Sequence, residues 1–535
     1  MEYIDTSDVP ITDSHDGAAA ILKKYKEAQN IKDYWKDKFE EAYEYCLPNR
    51  ESFYDEAPGQ KRTDKIFDET AVVGVQEFAS RLQAGIVPTF ARWADFQAGS
   101  EIPDMQKSFI NLELDKITEY VFQVLQTSNF NQEVHESFMD LAIGTGILLV
   151  EEGDAVHPIK FSAVPLTRVC LNTGPDGSID SIYRTRYCKP HEINLLYPRA
   201  ILPENFDPLK NKKKVKIIEA VYKIHEDNVE KYKMCVVMEN PKHILLEEMY
   251  EGEGACPYLV FRWNKASGEV YGRGPVFNAM GAIKTCNLTI ELILQNAQMS
   301  VSGVYTYEDD GVINPDNISL VPGSLIPVAP GSKGLLPIQS ASNFDVAQLV
   351  LNDMRQNIKK ALYMEALGRP EGTPMTATEV SERMADLSRQ IGSSFGRLQS
   401  ELITPLLKRI IRILSKQGRI EIPKVNGREV KIAPRSPLAQ AQHLQDVADV
   451  TRFNEIIAGT FGPQMINLIV DQNETAKYLA EKMNLPEKLI RDEGEQKELV
   501  DRLQQMQTAP EEGEAPPGAW YVLERSKERK AQGYK

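Results

Sequence analysis

YGRGPVFNAMGAIKTCNLTIELILQNAQMS, residues 271–300, opens on a glycine pair and Pro275 and then runs on to Ser300 without another proline. Pro275 suits a first helical position, where the fixed φ is already right and the missing N–H has no intrahelical partner to lose. Beyond it the text changes character. Residues 302–342 are rich in Gly, Pro, Asn and Asp, with short β-type runs at Gly303-Val304-Tyr305-Thr306-Tyr307 and Ser324-Leu325-Ile326-Pro327-Val328. A second helix is expected over 344–367, stopped by Gly368-Arg369-Pro370. Thr376-Ala377-Thr378-Glu379 has the spacing of a capping box and opens a third helix, expected to persist to about Gln417. Two helices thus carry a small irregular module out and back before a long helix begins. That order suits the wall of a tube better than an active site.

The chain of 535 residues exceeds one ordinary domain, so two to four modules are expected. An apolar content of 42 % is enough to fill real cores. The net charge of −15 argues against a protein that wraps nucleic acid, which needs a basic excess, but not against a wall that lets phosphates slide past. Cys46, Cys170, Cys188, Cys235, Cys256 and Cys286 are scattered with no CxxC pair, the pattern of reduced thiols in a cytosolic product. The acidic N-terminal text lacks the apolar run of a signal peptide, and no stretch approaches the ~20 apolar residues of a spanning helix, so no membrane is expected.

Residues 1–17 read as a flexible arm. Helices are expected over 18–42, 66–84, 105–127 and 131–143. A proline-bounded turn at Pro88 leads to an aromatic strand ending near Phe96. Gly144-Thr145-Gly146 breaks the fourth helix, and 147–265 is strand-rich: β-branched or alternating runs separated by turns. Part of the sheet of this first module is expected after the long helix, where Asn426-Gly427 joins two short runs within 419–432 in a hairpin signal. Pro405 should kink the long helix. From Pro434 the reading is helical again, and 506–535 is a Pro/Glu/Gly-rich, then basic, tail.

Catalytic and metal motifs are missing. There is no GxxxxGK[ST], HExxH or GxSxG. Gly272-Arg273-Gly274 is followed by proline, so it reads as a turn and not as a dinucleotide loop. His225-Glu226-Asp227, Asp309-Asp310 and Glu151-Glu152 read as solvated acids. No enzyme, cofactor or metal is expected.

With this order in view, the chain resembles the portal, or head-to-tail connector, proteins of short-tailed bacteriophages. Three segments carry the resemblance. The first is Ala255-Cys256-Pro257-Tyr258 with Arg262, running on to Gly268-Glu269-Val270-Tyr271-Gly272-Arg273-Gly274. The second is Thr376-Ala377-Thr378-Glu379-Val380 leading to Leu398-Gln399-Ser400-Glu401-Leu402-Ile403-Thr404-Pro405-Leu406. The third is Gly85-Ile86-Val87-Pro88 through Trp93. The resemblance implies an α+β portal fold: a wing over 1–270 and 376–433, stem helices over 271–302 and 343–367, and a clip over 303–342. A channel loop over 368–375, a helical crown over 434–505 and a tail over 506–535 complete it. It also implies a ring of about twelve copies at one capsid vertex. Its partners would be the major capsid protein and scaffold, the terminase large subunit, a tail adaptor, internal core proteins and double-stranded DNA in the channel.

On that reading Arg369, Glu371 and Met375 line the channel, with Lys359 and Lys360, and Arg355 one turn earlier, as a belt of positive charge that a solvated helix face would equally explain. Tyr305, Tyr307, Asp309, Asp310 and Asn317 belong to the clip that docks motor and adaptor. Ile283, Ile290, Leu294 and Ala297 form a stripe at helical spacing that packs between helices or between subunits. A non-enzymatic phage scaffold or internal virion protein is the competing class, but scaffolds are dominated by long polar helices, unlike the apolar strands of 147–265. A nuclease or packaging ATPase lacks its P-loop and metal cluster here.

Overall fold

The computed structural model describes residues 14–54, 63–99, 104–204, 206, 213–224, 230–302, 305–306, 336–337, 344–364, 392–421, 430–434, 437–462 and 469–482. The first helix, α1 (Ser14–Cys46), serves two cores in turn. Ala18, Ile21, Leu22, Tyr25 and Ala28 recur at three to four residues and bury against one face of a sheet; Phe39, Ala42, Tyr43 and Cys46 do the same against the main core. Helix α2 (Thr70–Ile86) starts four residues later than expected; just ahead of it Asp68 Oδ1 accepts the Thr70 N–H at 2.9 Å. Strand β1 (Ala94–Ala98), α3 (Asp104–Thr127) and α4 (Phe130–Ile143) follow where the sequence places them.

The strand-rich region divides in two. Strands β2 (Thr145–Glu152), β3 (Ile159–Ala163) and β9 (Tyr258–Arg262) form a three-stranded antiparallel sheet with β2 central. A five-stranded antiparallel meander contains β4 (Val169–Thr173), β5 (Ile179–Cys188), β6 (Val215–Ile224), β7 (Lys231–Met238) and β8 (His243–Glu251). A short helix, α5 (Ile193–Leu196), lies in the β5–β6 connection. The first six residues of β2 are buried, as its central position between two strands demands.

Helix α6 (Pro275–Ser302) begins at the proline. Strands β10 (Tyr305–Thr306) and β11 (Leu336–Pro337) pair antiparallel, closing the excursion between α6 and α7 (Phe344–Ala361). The run 324–328 lies outside the described residues. Helix α7 ends six residues before the expected Leu367. Tyr363 takes a left-handed φ of 57°, Met364 N bonds Lys359 O at 2.9 Å and Tyr363 N bonds Lys360 O at 3.2 Å, the double bond of a Schellman stop. A tyrosine holds this position, usually glycine's, because its ring packs between Phe78 and Trp263.

The long helix is described as α8 (Gly392–Leu398), a π-turn (Gln399–Ile403) and α9 (Thr404–Lys416). Pro405 breaks the α-helical ladder without ending the helix. The Thr404 N–H reaches back to Gln399 O, a five-residue step, so the ladder shifts where proline donates nothing. Strand β12 (Val430–Pro434) pairs antiparallel with β1, Ala94 opposite Pro434, so sheet material does lie after the long helix. Among the described residues β12 pairs across to β1 and not within a hairpin; Asn426-Gly427 and 376–391 lie outside them.

Contacts separate residues 1–442 from 443–535. The second unit holds most of α10 (Pro437–Phe461) and α11 (Gln472–Lys482). All six cysteines are free, and no described helix is long and apolar enough to cross a membrane.

Candidate functional site

The chain reaches α6 through a crossing of two backbones. Gly272 N donates to Thr145 Oγ1 at 2.9 Å and Gly274 N to Ile143 O at 2.8 Å, while Trp263 N donates to Gly144 O at 3.0 Å. Asn264 and Arg273 exchange two backbone bonds of 3.3 and 2.7 Å. A Cβ on Gly272 would sit 2.2 Å from Gly144 O, and one on Gly274 2.1 Å from Ala142 O. The Gly-Arg-Gly text is therefore a close-approach device: two peptide planes touch where any side chain would collide. Arg273 between them lies over the Trp35 ring at 5.2 Å and pairs with Glu269.

Above this crossing the first turns of α6 are anchored. Val276, Ala279, Ile283 and Cys286 are buried. Asn287 Oδ1 accepts the backbone N–H groups of Phe67 and Asp68 at 2.7 and 2.9 Å, and its Nδ2 donates to Ile283 O at 2.9 Å. Asp68 in turn accepts Arg355 Nε at 2.7 Å, which ties α7 to the same point. Burial of Asp68 works against its charge, but the hydrogen bonds from Thr70 and Arg355 outweigh it and hold the carboxyl below its ordinary range. Burial, then the Asp68 charge, pushes the neighbouring Cys286 thiol up to about 11, so it stays a neutral packing group. Lys284 adds an ion pair to Glu41 of α1.

Farther along, Ile290 and Ile293 still pack on the core, but Leu288, Leu292 and Leu294 of α6 are each more than half exposed, and Leu349 of α7 is 71 % exposed. The helix pair therefore leaves the body with apolar surface facing outward.

The structure places the expected site residues as follows. Ile283 is fully buried in the chain's own core, which agrees with packing between helices, the first of the two alternatives for its stripe. Ile290 packs partly buried against that core, Ala297 is half-buried and Leu294 is exposed. Arg355 is engaged by Asp68 and is not part of a free basic belt; Lys359 is half-buried and Lys360 exposed. Tyr305 lies on β10. Arg369, Glu371 and Met375, like Tyr307, Asp309, Asp310 and Asn317, lie outside the described residues. Glu152 pairs with Lys416 at 2.6 Å, and among the described residues no cluster of His, Cys, Asp and Glu is gathered to hold a metal ion.

The structure adds three buried polar anchors that periodicity does not show. Arg262, 3 % exposed, meets Glu401 through Nη2 at 2.6 Å and Nε at 3.3 Å, and its backbone N–H reaches the same carboxylate at 2.9 Å. Strand β9 is thereby clamped to the π-turn of the long helix. Arg409 of α9 spends its guanidinium on the carbonyls of Val150, Gly254 and Ala255, and burial lowers its pKa. Glu219 of β6 accepts the hydroxyls of Tyr197 and Tyr258 and pairs with Arg186, joining the two sheets. The signal was partly present: Tyr258, Arg262 and Glu401 all belong to the segments that carry the resemblance, and Ala255 and Gly272 complete the set.

Comparison with known proteins agrees with this reading. Residues 18–490 match the family model for the bacteriophage head to tail connecting protein. A probable portal protein of Bordetella phage BPP-1 is 23 % identical over 505 residues, covering 88 % of each chain. The portal protein of Salmonella phage epsilon15 is 21 % identical over 455 residues, 79 % of each. Among solved structures, a chain of the virion of a native gene transfer agent particle shares 13 % identity at a TM-score of 0.34, covering 77 % of this chain and 93 % of its own. A family model spanning most of the chain, with an α+β architecture and portal relatives along nearly its whole length, leaves one assignment: the chain belongs to the bacteriophage head to tail connecting family, the portal proteins.

Proposed function

We propose that this chain assembles into a closed ring of about twelve copies at one capsid vertex of a virion and forms the conduit for DNA during packaging and ejection. The observation that carries the reading is the α6–α7 pair. It is fixed at its foot by the Gly144–Gly272 crossing and the Asn287–Asp68–Arg355 network, and then presents Leu288, Leu292, Leu294 and Leu349 outward. Apolar surface on an anchored pair of helices suits side-by-side packing against the next copy. A helix of 28 residues spans about 42 Å, long enough to line a channel.

In this scheme residues 1–270 and 376–433 form the wing, 271–302 and 343–367 the stem, 303–342 the clip, 368–375 the channel loop and 434–505 the crown. The clip is the docking surface for the terminase large subunit and later the tail adaptor, its short strands suiting pairing across copies. The wing and crown face capsid protein, scaffold and internal core proteins. The acidic balance of −15 keeps phosphates from sticking in transit. Mass measurement and negative-stain microscopy of the purified chain test the proposal. A ring with a central hole is expected; a stable monomer at micromolar concentration and physiological salt overturns it. Deleting residues 309–317 should leave rings that no longer bind terminase or adaptor.

A further inference from the structure

Five of the seven residues 210–216 are lysines (Lys210, Lys212, Lys213, Lys214 and Lys216), and no acid occurs between Pro208 and Ile218. In a chain of net charge −15 that run is a local reversal of sign, of the kind that meets polyanions. Lys210 and Lys212 lie outside the described residues; the rest of the run leads into β6.

The meander gathers further lysines beside it. Because β5 to β8 are antiparallel neighbours, the end of β5, the start of β6, the end of β7 and the start of β8 share one end of the sheet. Cys188 stands opposite Val215, Ile217 opposite Met238 and Met238 opposite His243. Lys189 follows Cys188, Lys213 and Lys214 precede Val215, and Lys242 precedes His243. All four are exposed, and among the described residues none has a carboxylate partner. The acids nearby are engaged: Glu239 pairs with Lys216 at 3.1 Å, and Glu192 accepts the Lys189 backbone N–H at 2.8 Å. Glu204 is the only other acid described in the β5–β6 connection.

Three strand spacings of about 4.8 Å separate β5 from β8, so the patch is about 14 Å wide. A DNA duplex presents one phosphate charge per about 1.7 Å of its axis, so several lysines can meet phosphates together. Lysines are point charges on flexible stems and suit such a regular row. A fixed carboxylate is matched better by the planar fork of arginine, and the connection's arginine, Arg199, already faces Glu248 at 4.0 Å.

We infer that Lys189, Lys213, Lys214 and Lys242 form a binding site for the phosphate backbone of double-stranded DNA, on the sheet and not on the α6–α7 pair. Contact is to phosphates alone and so is independent of base sequence. The choice of duplex DNA as the polyanion rests on the conduit proposed above; the patch itself does not, because it is complete within one chain.

Fluorescence anisotropy of a short labelled duplex with the full chain is the test. Four phosphate contacts give log K a slope of about −3.6 against log salt, a loss of about 150-fold between 50 and 200 mM. Two duplexes of unrelated sequence should bind alike. Lys189→Ala/Lys213→Ala/Lys214→Ala/Lys242→Ala should abolish that component, Lys213→Glu/Lys214→Glu should weaken it strongly, and Lys213→Arg/Lys214→Arg should keep it. Lys359→Ala/Lys360→Ala on α7 should leave it unchanged. Binding that is lost with the α7 pair and kept in the fourfold variant places the contact on the stem and overturns the inference. Poly-glutamate that displaces the duplex better than unlabelled duplex does would make an acidic protein the occupant, and a single strand bound more tightly than the duplex would refute the choice of ligand. Rings whose DNA binding ignores these lysines would sink this inference and leave the conduit standing; a monomer that binds duplex through them would do the reverse.

Discussion

Replacing Glu401 with alanine should be among the most damaging single changes to this fold outside its apolar core. The carboxylate is the acceptor for Arg262 Nη2 at 2.6 Å, Nε at 3.3 Å and the Arg262 backbone N–H at 2.9 Å, and the guanidinium is 3 % exposed. Without it only the Val270 carbonyl, 3.2 Å from Nη1, remains. Removing one partner of a buried ion pair costs about 3–5 kcal/mol, because the surviving charge stays desolvated. Glu401 is itself 19 % exposed, so water relieves part of the loss and the lower end, about 3 kcal/mol, applies. Lys416→Ala is the control: its pair with Glu152 is half exposed on both sides, and such pairs contribute about 0–1 kcal/mol. Urea unfolding followed by tryptophan fluorescence reads the difference, since the buried Trp263 is the neighbour of Arg262 in sequence. The double variant Arg262→Met/Glu401→Leu should recover most of the stability, because it removes both charges together. If Glu401→Ala loses no more than Lys416→Ala, the clamp between β9 and the long helix carries no weight and the argument fails.

Three further outcomes are expected. Gly272→Ala, whose Cβ would stand 2.2 Å from Gly144 O, should lower stability by more than about 3 kcal/mol; Gly281→Ala, with nothing within 4 Å, should raise it by about 0.5–1 kcal/mol, both measurable by thermal unfolding. Asp140 is buried, accepts the Tyr43 hydroxyl at 3.0 Å and lies 3.9 Å from Arg50; burial dominates and raises its pKa from the ordinary 3.8 to about 6. The folded chain therefore holds a proton the unfolded chain has released, so stability from this group falls as pH rises from about 4 to 6. Asp140→Asn should be the more stable form at pH 7 by up to about 3 kcal/mol, an advantage that disappears near pH 4 in urea titrations. Arg369→Glu should leave assembly intact and impair retention or passage of DNA, scored by packaging and ejection; normal behaviour of both would make 368–375 a plain connector.

What the sequence determined by itself is the order and kind of the elements. Pro275 set the start of α6 to the residue, the 3.6-residue pattern gave α1, α3 and α4, and the strand-rich stretch 147–265 was legible because β-branched runs and turn residues act over a few neighbours. The resemblance to portal proteins was legible for the same reason, since it rests on short contiguous segments in a fixed order. Tertiary structure decided everything that depends on residues distant in sequence. Tyr363 ends α7 six residues early because two aromatic rings from elsewhere hold it in a left-handed conformation, which no local propensity favours. Gly272 and Gly144 are necessary because their peptide planes meet, 128 positions apart in the chain numbering. Helical spacing leaves open whether Ile283 packs between helices or between subunits and whether Arg355 is merely solvated; only the packed chain puts Ile283 in the core and Arg355 against Asp68. Local pattern is written in neighbouring side chains, whereas close approach, ion pairing and burial are properties of the packed chain and are settled only when distant segments meet.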